Sequence, residues 1–346
     1  MNITTIRATA LKFQKIRSLR QLCTLLKVEP LRLTAMSLHP HYDSYFIAKK
    51  KGGKRLIEDP EDELKEVLRS LNDFLQCTYH ALRPAAVYGF CICANHEDER
   101  SILTNAQQHL GKAFMVNIDF KDFFHLISLQ KVHDIWAQHF PKMESEVLAL
   151  LARLCCYHDR LPMGSPTSPV LSNYACLDFD AELQQYCQAG EITYTRFADD
   201  LTFSAHKPIT ETDIAFFRSI ITYYSFAVNE QKVHIYQTDE AKVVTGIVVG
   251  KTELSLPEDY LQQLTTEIDR YKQVQLVEQR YKTGMSLKKL AHFKQEIEAK
   301  CSFAERVMSA VQPEMQALKT ALVEALNPPL EAYESENWLD MPYSIF

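Results

Sequence analysis

No run in this 346-residue chain approaches the roughly 18 to 20 consecutive apolar residues of a membrane-spanning helix, so no membrane partner is expected. Residues 1–7 also lack the continuous apolar core of a secretory signal. Cysteine is present nine times, but in no useful pattern. Cys91 and Cys93 are one residue apart, Cys155 and Cys156 are adjacent, and the spacings match neither a zinc ribbon nor a disulfide framework. Reduced, buried thiols and a cytoplasmic location follow as expectations. His96-Glu97-Asp98-Glu99-Arg100 lacks the second histidine of a zinc hydrolase motif. An overall positive charge is missing too: the net charge of −6 excludes a simple basic coat protein for nucleic acid.

What basic charge there is comes in patches. Residues 1–30 carry six Lys/Arg against the single acid Glu29, which suits a basic helix touching nucleic acid better than a transit peptide. Residues 270–294 carry seven, Arg270, Lys272, Arg280, Lys282, Lys288, Lys289 and Lys294, against Glu278 alone. The stretch 331–346 has four acids and no base. Each basic stretch fits an ordinary solvated helix face or a grip on a polyanion. Apolar residues make up 46% of the chain, enough for the cores of two or three domains.

The chain is organised around Phe197-Ala198-Asp199-Asp200. Segments 191–196 and 201–205 on either side are rich in β-branched and aromatic residues and read as two strands joined by a tight turn. Such a pair alone is most simply a solvated turn, since Asp suits turns. Two carboxylates crowded at a hairpin tip repel each other, however, and a divalent cation removes that repulsion.

Upstream, residues 8–36 have helical spacing, broken at Pro30. Residues 45–59 read as strand, Gly52-Gly53 turn and strand, with Lys49, Lys50, Lys51, Lys54 and Arg55 at the tip. This hairpin suits closure over a triphosphate, or protection of an edge strand by lysines. Residues 61–77 read as a helix, and 88–113 as loop. Residues 114–119 form an apolar run of strand length ending in Asp119, and an acid at that end of a core strand points into a cleft. Phe120 and Phe124 follow it. Residues 129–157 read as two helices divided near Pro141. The loop 161–169, with Met163, Gly164, Ser165, Pro166 and Thr167, precedes a helix over 170–186 and offers small residues at a helix start, where a phosphate or base pair can dock. A helix over 210–226, strands over 233–236 and 242–249, and charged helices over 257–326 complete the pattern.

Taken together, Asp119 and Asp199 would hold two divalent ions in a phosphoryl-transfer site. Mg2+ fits all-oxygen ligands best, with Mn2+ as the substitute, and Lys232 is placed to protonate departing pyrophosphate.

This ordering closely resembles reverse transcriptases, and among them the bacterial retron type, over residues 45–249. Residues 114–124 resemble the family's first catalytic motif, 161–169 its template- and nucleotide-contacting loop, and 197–200 its catalytic hairpin. Asn105-Ala106-Gln107-Gln108-His109 and Val244-Thr245-Gly246 resemble two retron signatures. The chain departs at Phe197, where Tyr is usual, and at Met163, where many relatives carry Gln; neither is a metal ligand.

The resemblance implies an α+β right-hand polymerase fold. Residues 1–40 would be a basic helical extension, 41–113 with part of 125–170 the fingers, and 114–254 a palm whose antiparallel sheet carries the acids. Residues 255–330 would be a helical thumb and 331–346 an acidic tail. Asp119, Asp199 and Asp200 would bind metal. Lys50, Lys54, Arg55, Phe120, Phe124, Met163 and Gly164 would meet the dNTP, with Phe124 as the gate against a ribose 2′-hydroxyl. Ser165, Pro166, Thr167, Asn105, His109, Thr245, Gly246, Arg270, Arg280, Lys282, Lys288 and Lys289 would contact template, primer or RNA. The implied reaction copies part of a cognate non-coding RNA, primed from a guanosine 2′-hydroxyl, into branched RNA–DNA (msDNA) within an anti-phage system. A separate effector and a host ribonuclease H would be partners. The rival readings are a group II intron-like enzyme, a protein-primed defence polymerase and a non-catalytic RNA scaffold.

Overall fold

The computed structural model describes residues 1–48, 52–238, 240–281 and 287–327. They divide into two compact units, Met1–Thr245 and Gly246–Phe346. The division falls after Thr245, so the segment 246–254 lies in the second unit. Among the described residues, no helix is long and apolar enough to cross a membrane.

In the first unit, helices α1 (Ile3–Gln14), α2 (Leu19–Leu26) and α3 (Pro30–Leu38) come first. Pro30 does not end a helix as expected but opens α3, since the first helical position needs no amide hydrogen. Strands β1 (Tyr42–Ala48) and β2 (Lys54–Pro60) form the antiparallel basic hairpin, and α4 (Asp62–Tyr79) follows with acids in its first turn. The expected loop 88–113 contains the short helix α5 (Ile102–Gln107), capped by Ser101.

The central sheet takes β3 (Phe114–Asp119), β4 (Thr193–Phe197), β5 (Asp200–Ala205) and β6 (His234–Tyr236) in the order β4–β5–β3–β6, all antiparallel. Helices α6 (Leu129–His139), α7 (Ser145–Cys155), α8 (Ser168–Ala175), α9 (Leu177–Ala189) and α10 (Glu211–Tyr223) complete the unit with β7 (Lys242–Val244). The single helix expected over 170–186 is two, divided at Cys176, whose backbone leaves helical geometry. The expected strand 242–249 likewise breaks, because Thr245 and Gly246 both take positive φ.

One core runs beneath the sheet, with Val116, Ile118, Leu201, Phe203, Val170, Phe179 and Phe217 at 1% exposure or less. Phe203 stacks on Phe217 at 3.8 Å and Phe120 on Phe226 at 4.7 Å between ring centroids. Burying each such side chain is worth about 1.5–3 kcal/mol, which fixes the sheet whose end carries the acids. All nine cysteines are free, and all but Cys91 and Cys93 are buried.

The second unit holds the antiparallel pair β8 (Ile247–Val249) and β9 (Leu254–Ser255), then α11 (Glu258–Tyr281), α12 (Leu287–Val307) and α13 (Pro313–Leu326). Ile268, Ile297, Ala304 and Leu318 are buried among these helices, and Lys272 pairs with Glu324 across α11 and α13 at 2.8 Å.

Candidate active site

Acids from two distant segments, Asp119 on one and the adjacent Asp199 and Asp200 on the other, arrive at one end of the central sheet. Phe197 pairs with Asp200 at the end of the β4–β5 hairpin, leaving Ala198 and Asp199 as its tip. Ala198 sits at φ 58, a left-handed conformation that a side chain resists. β3 runs against β5 so that Asp119 lies opposite Asp200, and the Phe120 amide donates to the Asp199 carbonyl at 2.9 Å.

The carboxylates are crowded and short of positive charge. Burial, then the charge of Asp119, raises the Asp199 carboxyl above its ordinary range. Burial, then Asp119 and Asp199, pushes Asp200 up to about 7. Asp119 itself is 6% exposed and is already engaged. Lys232 Nζ donates to its two oxygens at 2.9 and 2.8 Å, and Asn229 Nδ2 donates to Oδ1 at 3.2 Å. Burial alone would lower the Lys232 ammonium, but Asp119, then Asp199 and Asp200, outweigh it and raise its pKa. Among the described residues, no group of three or more His, Cys, Asp or Glu side chains is gathered into a metal-holding cluster. The backbone therefore brings the acids together while Lys232 occupies Asp119. The donor set fits a hard divalent cation all the same: oxygen ligands only, with carboxylates whose mutual repulsion a cation would relieve.

Behind the turn, charge is fully matched. Arg196 and Asp180 are both 0% exposed and meet through two hydrogen bonds, Nε to Oδ1 at 2.8 Å and Nη2 to Oδ2 at 2.6 Å. Tyr194 OH donates to Asp180 Oδ1 at 2.8 Å. Arg196 Nη1 donates to Asn173 Oδ1 at 3.1 Å and to the Ala198 carbonyl at 3.0 Å, pinning the strained tip. The segment at Val87 pairs with Arg196 as a parallel bridge, and Gly89 lies so close that a Cβ there would stand 2.4 Å from Ala198 N.

Residues 47–249 match the family model described as reverse transcriptase (RNA-dependent DNA polymerase). Over 254 residues the chain is 32% identical to the Retron Ec86 reverse transcriptase of Escherichia coli, covering 71% of this chain and 74% of that protein. The chain belongs to the retron reverse transcriptases.

As a retron reverse transcriptase it is an RNA-directed DNA polymerase that takes an RNA template and nucleotide substrates, and membership implies dependence on a divalent metal. It is also 27% identical over 254 residues to the Retron Ec83 reverse transcriptase of Escherichia coli, covering 68% of this chain and 77% of that one. A telomerase structure from Candida albicans, solved with a telomeric RNA fragment, matches 88% of this chain and 67% of its own with a TM-score of 0.50. At 11% identity, that likeness shows the polymerase fold alone.

The other expected site residues of this retron enzyme divide between surface and core. Lys54 and Arg55 are exposed on β2, and the charge of Arg55 reaches Asp199, easing its ionisation. Phe124 is half-buried, with its ring 5.4 Å from Phe123 and 6.0 Å from Phe90. Met163 and Gly164 dock on β2: Glu58 N donates to the Met163 carbonyl at 2.8 Å, and a Cβ on Gly164 would stand 2.5 Å from the Glu58 carbonyl oxygen. Buried Glu58 is in turn gripped by Arg160 through two bonds of 2.8 and 2.9 Å.

Several of the expected site residues have buried side chains. Phe120 is 2% exposed because its ring completes the stack with Phe123 and Phe226. Ser165 and Thr167 are buried, with their hydroxyls 3.2 Å apart, which leaves Pro166 as the more accessible of the three. Asn105 and His109 are core residues rather than RNA-facing ones. Both nitrogens of the His109 ring are taken, by Ser204 at 2.6 Å and Thr195 at 2.8 Å, so it ties the end of α5 to β4 and β5. Thr245 Oγ1 donates to the Ile102 carbonyl at 3.4 Å, at the start of the helix that carries Asn105, while a Cβ on Gly246 would meet nothing within 4 Å. Arg270, Lys288 and Lys289 are exposed on their helices. Lys50, Lys282 and the side chain of Arg280 lie outside the described residues. Sequence reasoning missed Arg196, Asp180, Glu58 and Arg160, whose charges carry no local sign that they are buried.

Proposed function

We propose that this retron reverse transcriptase copies part of a cognate structured RNA from a guanosine 2′-hydroxyl, giving branched RNA–DNA. The priming follows the retron relatives, and the observation that supports the polymerase step is the meeting of Asp119 with Asp199–Asp200 across the β3–β5 register, with more negative charge than Lys232 balances. Asp119, Asp199 and Asp200 would hold two magnesium ions, with manganese able to replace them. Bound there, the ions would make the primer hydroxyl nucleophilic and offset the charge of the triphosphate. Lys54 and Arg55 would draw in the triphosphate, and Phe124 would exclude a ribose 2′-hydroxyl. Lys232, freed from Asp119 when that carboxylate is engaged elsewhere, would donate a proton to the departing pyrophosphate.

On this reading residues 41–113 with part of 125–170 act as fingers, 114–254 as palm and 255–330 as thumb. The basic stretch with Arg270, Lys288 and Lys289 grips the RNA and hybrid backbone. Template trimming falls to a host ribonuclease H, and a separate effector completes an anti-phage system in the cytoplasm. Nucleic acid purified with the protein tests the proposal: DNA joined to RNA through a 2′-linked guanosine supports it, and DNA joined to tyrosine or serine overturns it. Removing Arg280, Lys282, Lys288 and Lys289 together should lower the slope of log affinity against log salt for RNA by about 3. An unchanged slope would return that stretch to plain solvated surface.

A further inference from the structure

Phe90 stands where a phenylalanine is uncomfortable. Its φ of 58 places it in the left-handed region, at a cost of about 1–3 kcal/mol that a glycine would avoid and an asparagine would reduce. The surroundings enforce that conformation. The Phe90 carbonyl accepts hydrogen bonds from Gln76 Nε2 at 3.0 Å and Asn173 Nδ2 at 3.4 Å. Asn173 also donates to the Gly89 carbonyl at 3.0 Å, and its Oδ1 accepts from Arg196, the residue that pins Ala198. Gln76 and Asn173 are both buried, so these bonds form away from competing water.

The result of this arrangement is the placement of one ring. Phe90 is half-buried, its centroid lies 6.0 Å from that of Phe124, and the planes are tilted by 34°. Phe124 has Phe123 at 5.4 Å as a further aromatic neighbour, and Phe123 belongs to the buried stack with Phe120. The half-buried Phe124 thus has a core ring on one contact and the ring of Phe90, itself half-exposed, on another. A loop that needed only to turn here would be better served by a smaller residue.

We propose that Phe90 is a specificity-determining positioning residue: its ring buttresses Phe124, and rejection of nucleoside triphosphates bearing a 2′-hydroxyl depends on both rings. The inference rests on the reading of Phe124 as the sugar gate. Buttressing acts by limiting how far the Phe124 ring can yield when a bulkier sugar enters. Backbone and ring have separable duties, because Asn at this position tolerates the left-handed conformation while lacking the ring.

The test measures single-nucleotide incorporation by the full chain on a fixed RNA template with a DNA primer, using a dNTP and the matching rNTP. Phe124→Val should give the largest rise in the rNTP/dNTP efficiency ratio. Phe90→Asn should raise that ratio by roughly 2- to 10-fold, the span of one aromatic pair. Phe90→Gly, a second ringless variant with an easy backbone, should do the same, and Phe90→Tyr should restore the parent ratio. The Phe90→Asn/Phe124→Val pair should match Phe124→Val alone, since the buttress has nothing left to support. If Phe124→Val shifts the ratio and neither ringless Phe90 variant does, the buttress is refuted and the gate stands. If the Phe90 variants lose efficiency equally with both sugars, their role is structural and the inference fails. An unchanged ratio in Phe124→Val would remove the gate and the buttress together.

Discussion

The two sides of the Ala198–Asp199 tip are built on opposite electrostatic plans. Behind it, Arg196 and Asp180 are fully buried, and Tyr194, Asn173 and the Ala198 carbonyl share their hydrogen bonds. In front, Lys232 bonds only Asp119, Arg55 reaches Asp199 from β2, and burial with the neighbouring carboxylates pushes the pKa of Asp200 up to about 7. A fold selected only for stability would not leave the front unmatched while matching the back so fully. The rigid side holds the strained turn, and the frustrated side stays ready for a positive partner.

That contrast predicts which mutations harm activity and which harm the fold. Replacing Asp199 and Asp200 with Ala should reduce DNA synthesis to background while RNA binding persists. The urea midpoint should stay level or rise, because repelling charges are removed. A destabilised double variant would contradict the account of the front. Asp180→Ala should instead cost about 3–5 kcal/mol in urea unfolding, since it strands the Arg196 guanidinium in the core. Gly89→Ala should cost about 1–3 kcal/mol and slow synthesis, because the new methyl meets the Ala198 backbone and displaces the turn. An active, fully stable Gly89→Ala protein would mean that the loop and turn are not in register contact.

A subtler test uses pH. Burial, then the charge of Lys112, pushes His109 down to about 3, well below its unfolded value. The unfolded chain therefore takes up the proton first. Stability from neutral His109 is complete above about pH 6.5 and falls as pH drops toward 3, by up to about 1.4 kcal/mol per unit. Relative to His109→Gln, the parent protein should lose stability at that slope between about pH 6 and 4. Parallel curves for the two proteins would show that His109 takes up its proton within the fold.

The front of the site was legible in the sequence and the back was not, for a physical reason. Asp119 ends an apolar strand and Asp199–Asp200 sit between two β-rich segments, so local pattern marks each, and their order along the chain gives them a shared role. The partners of Arg196 and Asp180 lie on separate elements, and a charged residue by itself reads as surface. The burial of His109 and Asn105 has the same cause: the hydroxyls that satisfy His109 come from Thr195 and Ser204, on strands far along the chain. The break at Cys176 was hidden because apolar residues keep helical spacing across it, at Leu171, Ala175, Phe179 and Leu183.

The docking of Glu58 limits how the basic hairpin can act. Its amide is held by Met163, its carboxylate by Arg160, and its carbonyl leaves no room for a side chain at residue 164. Any swing of the exposed Lys54–Arg55 end of β2 must therefore hinge between that end and Glu58. A load on that end would be felt first at Met163, through the Glu58 amide.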